Sequence, residues 1–74
     1  MEDPITERAR YHFTVKVYPS GQLYIACDPM DRTLAIAGDG VFGFDLPAGI
    51  TAECAAEIAR YMNEHLLCMT YTLL

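Results

Sequence analysis

The sequence predicts an α+β fold: a four-stranded antiparallel sheet of two hairpins, packed by one C-terminal amphipathic helix. Three observations predict it. Residues 11–18 alternate between apolar and polar side chains, which is the period of a half-buried strand. Residues that favour turns recur at short intervals as far as Gly49. After Gly49 the apolar residues recur at spacings of three and four, which is typical of a helix that buries one face.

The first predicted hairpin joins strands over 11–18 and 23–27. In the first strand the odd-numbered residues are apolar and are expected to face the core. The turn is Pro19-Ser20-Gly21, because proline presets φ and glycine accepts positive values. The inward residues of the return strand are Leu23, Ile25 and Cys27.

The second predicted hairpin follows a turn over 28–31 (Asp-Pro-Met-Asp) and joins strands over 33–37 and 41–46. Asp39-Gly40 is among the strongest hairpin-turn dipeptides, since both central positions of the tight turn need φ above zero. The residues expected to point inward are Leu34, Ile36, Phe42, Phe44 and Leu46.

The predicted helix has Thr51 as its N-cap and Glu53 in its first turn, and it runs for four or five turns. Its expected buried stripe contains Cys54, Ile58, Tyr61, Met62, His65, Leu66 and Met69, widened by Ala55 and Ala59. Its expected solvent face contains Glu53, Glu57, Arg60, Asn63 and Glu64.

The two ends of the chain are harder to assign. Residues 1–9 are polar and predict a frayed terminus or one helical turn, with Asp3 as N-cap and Pro4 at the first helical position. The tail, 70–74, has no Gly or Pro to stop the helix but is β-prone, so it predicts either a fifth strand or an apolar arm that docks on another chain. At 74 residues, 1–74 is predicted to be one domain.

Composition limits the classes of function. The net charge of −5 argues against direct binding of nucleic acid, which needs a basic surface, and favours a basic protein partner. An apolar content of 53% is high for a small chain with much surface and points to an interface. The acidic start Met1-Glu2-Asp3-Pro4 is unlike a signal peptide, and no apolar run approaches the about 20 residues of a membrane span. We therefore expect a cytoplasmic location and no membrane partner.

The motifs that resemble chemical sites favour structural interpretations. The glycines in Gly38-x-Gly40-x-x-Gly43 fit the dinucleotide-binding spacing, but the sequence after them alternates as a strand, whereas that site needs a helix there. Cys54 and His65 would lie about 16 Å apart along one helix, too far to share an ion. The odd number of cysteines predicts reduced thiols. We expect no enzyme activity, no metal and no cofactor, although the sequence leaves a pair such as His12 with Cys27 open.

Two surfaces are candidates for partner binding. If the strands follow the predicted order, one end of the sheet collects Asp28, Asp31, Asp45 and Glu53, although turn and capping chemistry also explains most of these acids. The sheet face away from the helix is flat and weakly polar and carries two tyrosines, which is typical of an interface. Its expected members are His12, Thr14, Lys16, Tyr18, Tyr24, Ala26, Thr33, Ala35, Ala37, Val41, Gly43 and Asp45.

These features favour a non-enzymatic protein-interaction module, a small acidic inhibitor or regulator that occupies a basic or mixed surface of a protein partner. A phage-encoded inhibitor of a host defence nucleoprotein is one example, suggested by how often small acidic proteins have such roles. The alternatives are a homodimeric assembly subunit that uses the open sheet face or the C-terminal arm, and a small metal- or ligand-binding module. The expected partner-binding residues are Tyr18, Tyr24, Asp28, Asp31, Asp45, Glu53 and Tyr71.

Overall fold

The computed structural model describes residues 5–73 and has an α+β fold. In chain order the elements are β1 (Ile5–Ala9), β2 (Tyr11–Val17), β3 (Leu23–Pro29), β4 (Phe42–Asp45), α1 (Ala52–His65) and β5 (Met69–Leu73). They form an antiparallel three-stranded sheet, β2-β3-β4, and an antiparallel two-stranded ribbon, β1-β5. The predicted fold class is confirmed, whereas the predicted four-stranded sheet is wrong.

The first hairpin is confirmed. Strands β2 and β3 pair along their full lengths, from Tyr11 opposite Pro29 to Val17 opposite Leu23. The turn is closed by the Tyr18 main chain, whose N–H donates to the Gln22 carbonyl oxygen at 2.9 Å. Gly21 has a φ of 93°, which a residue without Cβ adopts at no steric cost.

The predicted third strand, 33–37, is wrong: the segment contains one 3₁₀ turn, Ala35–Ala37. Leu34 anchors it, because this side chain is only 2% exposed and its N–H donates to the Tyr11 hydroxyl at 3.0 Å. Ile36, expected inward, is exposed. Asp39-Gly40 consequently makes no hairpin, and β4 itself takes the position beside β3.

The helix begins as predicted, with the Thr51 hydroxyl accepting a hydrogen bond from the Cys54 N–H at 3.1 Å. It packs on the core face of β2 and β3, and its most buried residues are Ala55 and Ala59, which let the helix lie close to the sheet. The predicted stripe is therefore displaced toward these alanines: Cys54, Tyr61 and His65 are exposed. The helix ends at His65 because Leu66 is already extended.

The tail forms a fifth strand, one of its two predicted structures. Strand β5 pairs with β1 from Ile5 opposite Leu73 to Ala9 opposite Met69. The N-terminus was expected to be frayed or helical, which is wrong for 5–9, because these residues form β1. The predicted cap at Asp3 and Pro4 lies outside the described residues.

The molecule is elongated. Only Arg10 separates β1 from β2, so these strands run 13 residues almost without a break, about 43 Å at 3.3 Å per residue. The longest dimension is 48 Å, and the radius of gyration is 14.2 Å, against about 11 Å for a compact chain of this length. Within the described part of the chain, no helix is long and apolar enough to cross a membrane.

The core lies between α1 and the three-stranded sheet. Its largest fully buried side chains are Ile25, Cys27 and Leu34, and Tyr11 and Phe13 of β2 pack with them. The odd-numbered residues of β2 and β3 thus face α1, as the alternation predicted, and the even-numbered residues face the other way.

Candidate protein-interaction surface

The face of the three-stranded sheet that points away from α1, here called the open face, presents even-numbered residues of β2 and β3 and odd-numbered residues of β4. Its strand residues are His12, Thr14, Lys16, Tyr24, Ala26, Asp28, Gly43 and Asp45. Each of these was predicted on this face except Asp28, which the sequence assigned to a turn. The predicted members Thr33, Ala35 and Ala37 are not part of the sheet.

Two tyrosines stack at one end of the open face. The ring centroids of Tyr18 and Tyr24 are 4.1 Å apart with an interplanar angle of 18°. The Tyr18 hydroxyl donates to a carboxylate oxygen of Asp45 at 2.8 Å, and Asp45 lies directly opposite Tyr24 in the register. The two rings and the carboxylate therefore hold one another in place while remaining at least partly accessible to solvent.

Gly43 lies beside the Tyr24 ring on the open face. A Cβ at residue 43 would lie 3.4 Å from the Ile25 carbonyl oxygen and 3.5 Å from the Tyr24 ring. The ring therefore lies against the bare backbone of β4. The third glycine of the G-x-G-x-x-G pattern thus serves packing within a strand, and the residues after it form no helix.

The contact with Asp45 changes the pKa of the Tyr18 hydroxyl. Its hydrogen bond to Asp45 raises the pKa of Tyr18, since the bond is lost when the phenol ionises, and partial desolvation and the negative charge of Asp45 act in the same direction. The phenol is thus kept as a donor, and the carboxylate beside it remains available on its other oxygen for a second donor.

Lys16, which lies opposite Tyr24 in the register, reaches along the open face and forms an ion pair at 3.2 Å with Asp28, toward its far end. Desolvation raises the pKa of Asp28, but hydrogen bonds from Lys16 and Thr14 and the charges of Lys16 and His12 together outweigh it and lower the pKa. Both partners are exposed, so the pair contributes little stability. It gives this end of the face mixed charge.

The predicted acidic end is wrong. Asp45 is opposite Tyr24, and Asp28 is four residues further along β3, a separation of about 13 Å. The prediction placed a strand at 33–37 between β3 and β4, so that β4 would run in the same direction as β3. Without that strand β4 runs antiparallel to β3, and Asp45 lies opposite Tyr24. Asp31 lies in the turn after β3, where its carboxylate accepts from the Arg32 N–H, and Glu53 lies in the first turn of α1.

The remaining predicted residue, Tyr71, lies in the ribbon. It is opposite Glu7, is half-buried and packs against the edge of the core. The open face therefore brings together four of the seven predicted residues, namely Tyr18, Tyr24, Asp45 and, at its far end, Asp28. The other three occupy separate places on the molecule.

The groups considered for chemistry are dispersed. His12 lies on the open face and Cys27 in the core beneath it, so the two do not face each other. His65 stacks on Tyr61 on the outside of α1, with ring centroids 4.1 Å apart. The three cysteines are free, and across residues 5–73 no three His, Cys, Asp or Glu side chains are grouped as metal ligands.

One residue with a defined role was missed. Asn63 was assigned to the solvent face of α1, yet its side-chain amide bonds the main chain of Phe13 on β2. The signal was present in the sequence, because Asn63 follows buried Ala59 by four residues and so shares its face. A shallow groove of about 380 Å³ lies beside Asn63, between Arg10 and His12 on one side and Glu64 on the other.

No protein family, curated protein or solved structure matches this chain.

Proposed function

We propose that this chain is a non-enzymatic interaction module that binds a protein partner through the open face. The observation that carries the proposal is the Tyr18–Tyr24 stack, held by the hydrogen bond from Tyr18 to Asp45. Tyrosine is enriched in interfaces because it offers a large contact area at a low cost in conformational entropy. Here the cost is reduced further, since both rings are already fixed in the free protein.

The charge of the chain selects the partner. The chain contains ten acidic and five basic residues, and the carboxylate of Asp45 lies beside the two tyrosine rings. A partner that brings an arginine or lysine to Asp45 would gain a charge-assisted hydrogen bond, and the net charge of −5 would speed its approach. We therefore infer a basic or mixed partner surface.

Occupation of a basic surface makes this chain an inhibitor or regulator. Where that surface normally binds nucleic acid, an acidic protein seated on it competes with the phosphates. A phage-encoded inhibitor of a host defence nucleoprotein fits this description, and it is an example drawn from how often small acidic proteins have such roles.

The test is quantitative capture of partners with matched baits. The wild-type chain and the Tyr18→Ala and Tyr24→Ala variants would be immobilised at equal density, and the bound proteins measured by mass spectrometry. Tyr61→Ala is the control, because Tyr61 is also exposed and stacked but lies on α1. We expect a basic protein retained by wild type and by Tyr61→Ala and lost from the other two. Equal retention by all four baits would refute the proposal.

A homodimer is the alternative, and the structure bears on one route to it. The predicted arm, 70–74, overlaps β5, which pairs with β1 of its own chain. Self-association through the open face therefore remains as the competing use of Tyr18 and Tyr24. Light scattering on a sizing column separates the two, because the proposal expects the monomer mass of 8.3 kDa and the alternative expects twice that value.

A further inference from the structure

The two edge strands of the three-stranded sheet, β2 and β4, differ in the main-chain contact that Asn63 makes with Phe13. On the β2 side, the Asn63 amide occupies the main-chain N–H and C=O of Phe13, and β5 pairs with the neighbouring β1. On the other side lies β4, with four residues and a pairing partner on one side only among the described strands.

The hydrogen-bonding direction along β4 follows from its register. The Leu46 N–H donates to the Leu23 carbonyl oxygen at 3.1 Å, and Phe44 is opposite Ile25. In an antiparallel ladder the residues of one strand point their N–H and C=O groups alternately to the two sides. The even-numbered residues of β4 therefore bond β3, and Gly43 and Asp45 direct their main-chain groups outward.

Along this edge Phe42 and Phe44 point to the core face of the sheet, and Gly43 and Asp45 point to the open face. Phe44 was expected inward but is 48% exposed, because α1 packs over β2 and β3 and does not extend across β4. Val41, just before the strand, is 71% exposed. Edge strands are often protected by short length, charge, proline or a bulge; β4 is short and carries Asp45, but it contains no lysine or proline.

We propose that β4 accepts an extended segment of the partner protein as an added strand, and that this segment alternates basic and apolar residues. The inference rests on the proposed function, since it concerns the same partner. Main-chain hydrogen bonds to Gly43 and Asp45 hold the segment. Its apolar side chains cover Phe44, and its basic side chains lie on the open-face side beside Asp45.

Charge complementarity favours a basic segment over a second copy of this chain. Within residues 5–73, Asp39 and Asp45 form no ion pair with a lysine or arginine. A second copy paired through β4 would bring its own Asp45 to the seam and a further net charge of −5. A basic segment instead neutralises the carboxylate of Asp45 on β4.

The probe is a blocked heptapeptide that alternates lysine and valine, with an alternating glutamate–valine peptide as control. Two-dimensional NMR would follow amide exchange in the full chain. We expect the lysine peptide at saturation to slow exchange of the Gly43 and Asp45 amides at least tenfold, and to bind at least tenfold more tightly than the glutamate peptide. Unchanged exchange at both amides would overturn the inference. Exchange of these two amides that slowed as protein concentration rose, in the absence of peptide, would also overturn the inference. A second copy of the chain would then occupy β4.

The matched variants are Phe44→Lys and Leu67→Lys, both at exposed apolar positions, the second far from β4. Phe44→Lys should weaken the lysine peptide and the captured partner at least tenfold, and Leu67→Lys by less than twofold, with circular dichroism confirming the fold of each. Capture lost with Tyr24→Ala but unchanged with Phe44→Lys would overturn the edge inference alone. Capture unchanged with both variants would overturn the proposed function as well.

Discussion

Asn63 of α1 forms two hydrogen bonds with the main chain of Phe13 on β2: the Phe13 N–H donates to Oδ1 at 2.8 Å, and Nδ2 donates to the Phe13 carbonyl oxygen at 2.9 Å. A carboxamide placed in this way replaces a neighbouring strand. It fixes the helix to the sheet and closes part of one edge. The opposite edge, at β4, is where an added strand would find free main-chain groups.

Loss of this contact should destabilise the fold. Asn63→Ala removes both hydrogen bonds and leaves the partly buried Phe13 groups without a partner, so we expect the free energy of unfolding to fall by about 1–3 kcal/mol. Urea unfolding measures it. The exposed neighbour Glu64 provides the control, since Glu64→Ala should change stability by less than about 0.5 kcal/mol. Equal effects of the two variants would show that the amide contact contributes nothing.

The pair Ile25 and Ile36 tests the revised core. Ile25 is 1% exposed and Ile36, predicted inward, is 54% exposed. Ile25→Val should lower the free energy of unfolding by about 0.5–1.5 kcal/mol, because it leaves a small cavity. Ile36→Val should leave thermal and urea unfolding unchanged within error. If Ile36→Val destabilised as much as Ile25→Val, residues 33–37 would be packed as the sequence first suggested.

The titration of Tyr18 tests the geometry of the open face. Its folded pKa is raised above the unfolded value of about 10, so the hydrogen bond to Asp45 stabilises the fold below that pH. This contribution is lost as the pH rises through the folded pKa. Asp45→Ala removes both the hydrogen-bond acceptor and the charge and should lower the pKa of Tyr18 toward the ordinary value, as measured from the NMR signals of its ring. An unchanged Tyr18 titration in that variant would mean that the two side chains are not bonded in solution.

The cysteines should react in the order of their exposure. Cys27 is fully buried, and desolvation, with a smaller contribution from the charge of Asp28, raises the pKa of its thiol. Cys54 is exposed. A disulfide reagent should therefore modify Cys54 rapidly and Cys27 only at the rate of unfolding. Cys54→Ser should remove the fast phase, and a fast phase that survived this change and belonged to Cys27 would contradict the assigned core.

Local patterns predicted the parts of the fold that local forces determine. The alternation in β2 and β3 and the turn at Gly21 specify a hairpin within one short stretch, and Thr51 caps its helix through a neighbour three residues away. The segment 33–37 is different. Five alternating residues fit a short strand, and tertiary contacts, of Leu34 with Tyr11 and of Ala35 with Glu7, accompany the turn that they form instead.

The same distinction applies to the candidate site. Tyr18, Tyr24 and Asp45 could be placed on one face because side-chain alternation depends on each strand alone. The separation of Asp45 from Asp28, by contrast, depends on the direction of β4, which a single misplaced strand reverses. The exposure of Phe44 at the β4 edge could not be seen from the sequence either, since it depends on α1 lying over β2 and β3.

The affinity of the captured partner for wild type and Tyr24→Ala, measured by titration calorimetry, tests the central claim most directly. A central interface tyrosine typically contributes about 2 kcal/mol or more, so the account predicts a dissociation constant at least about tenfold higher for Tyr24→Ala. Tyr61→Ala should bind as wild type does. Equal affinity of Tyr24→Ala and wild type, or a loss with Tyr61→Ala instead, would show that the partner does not bind the open face.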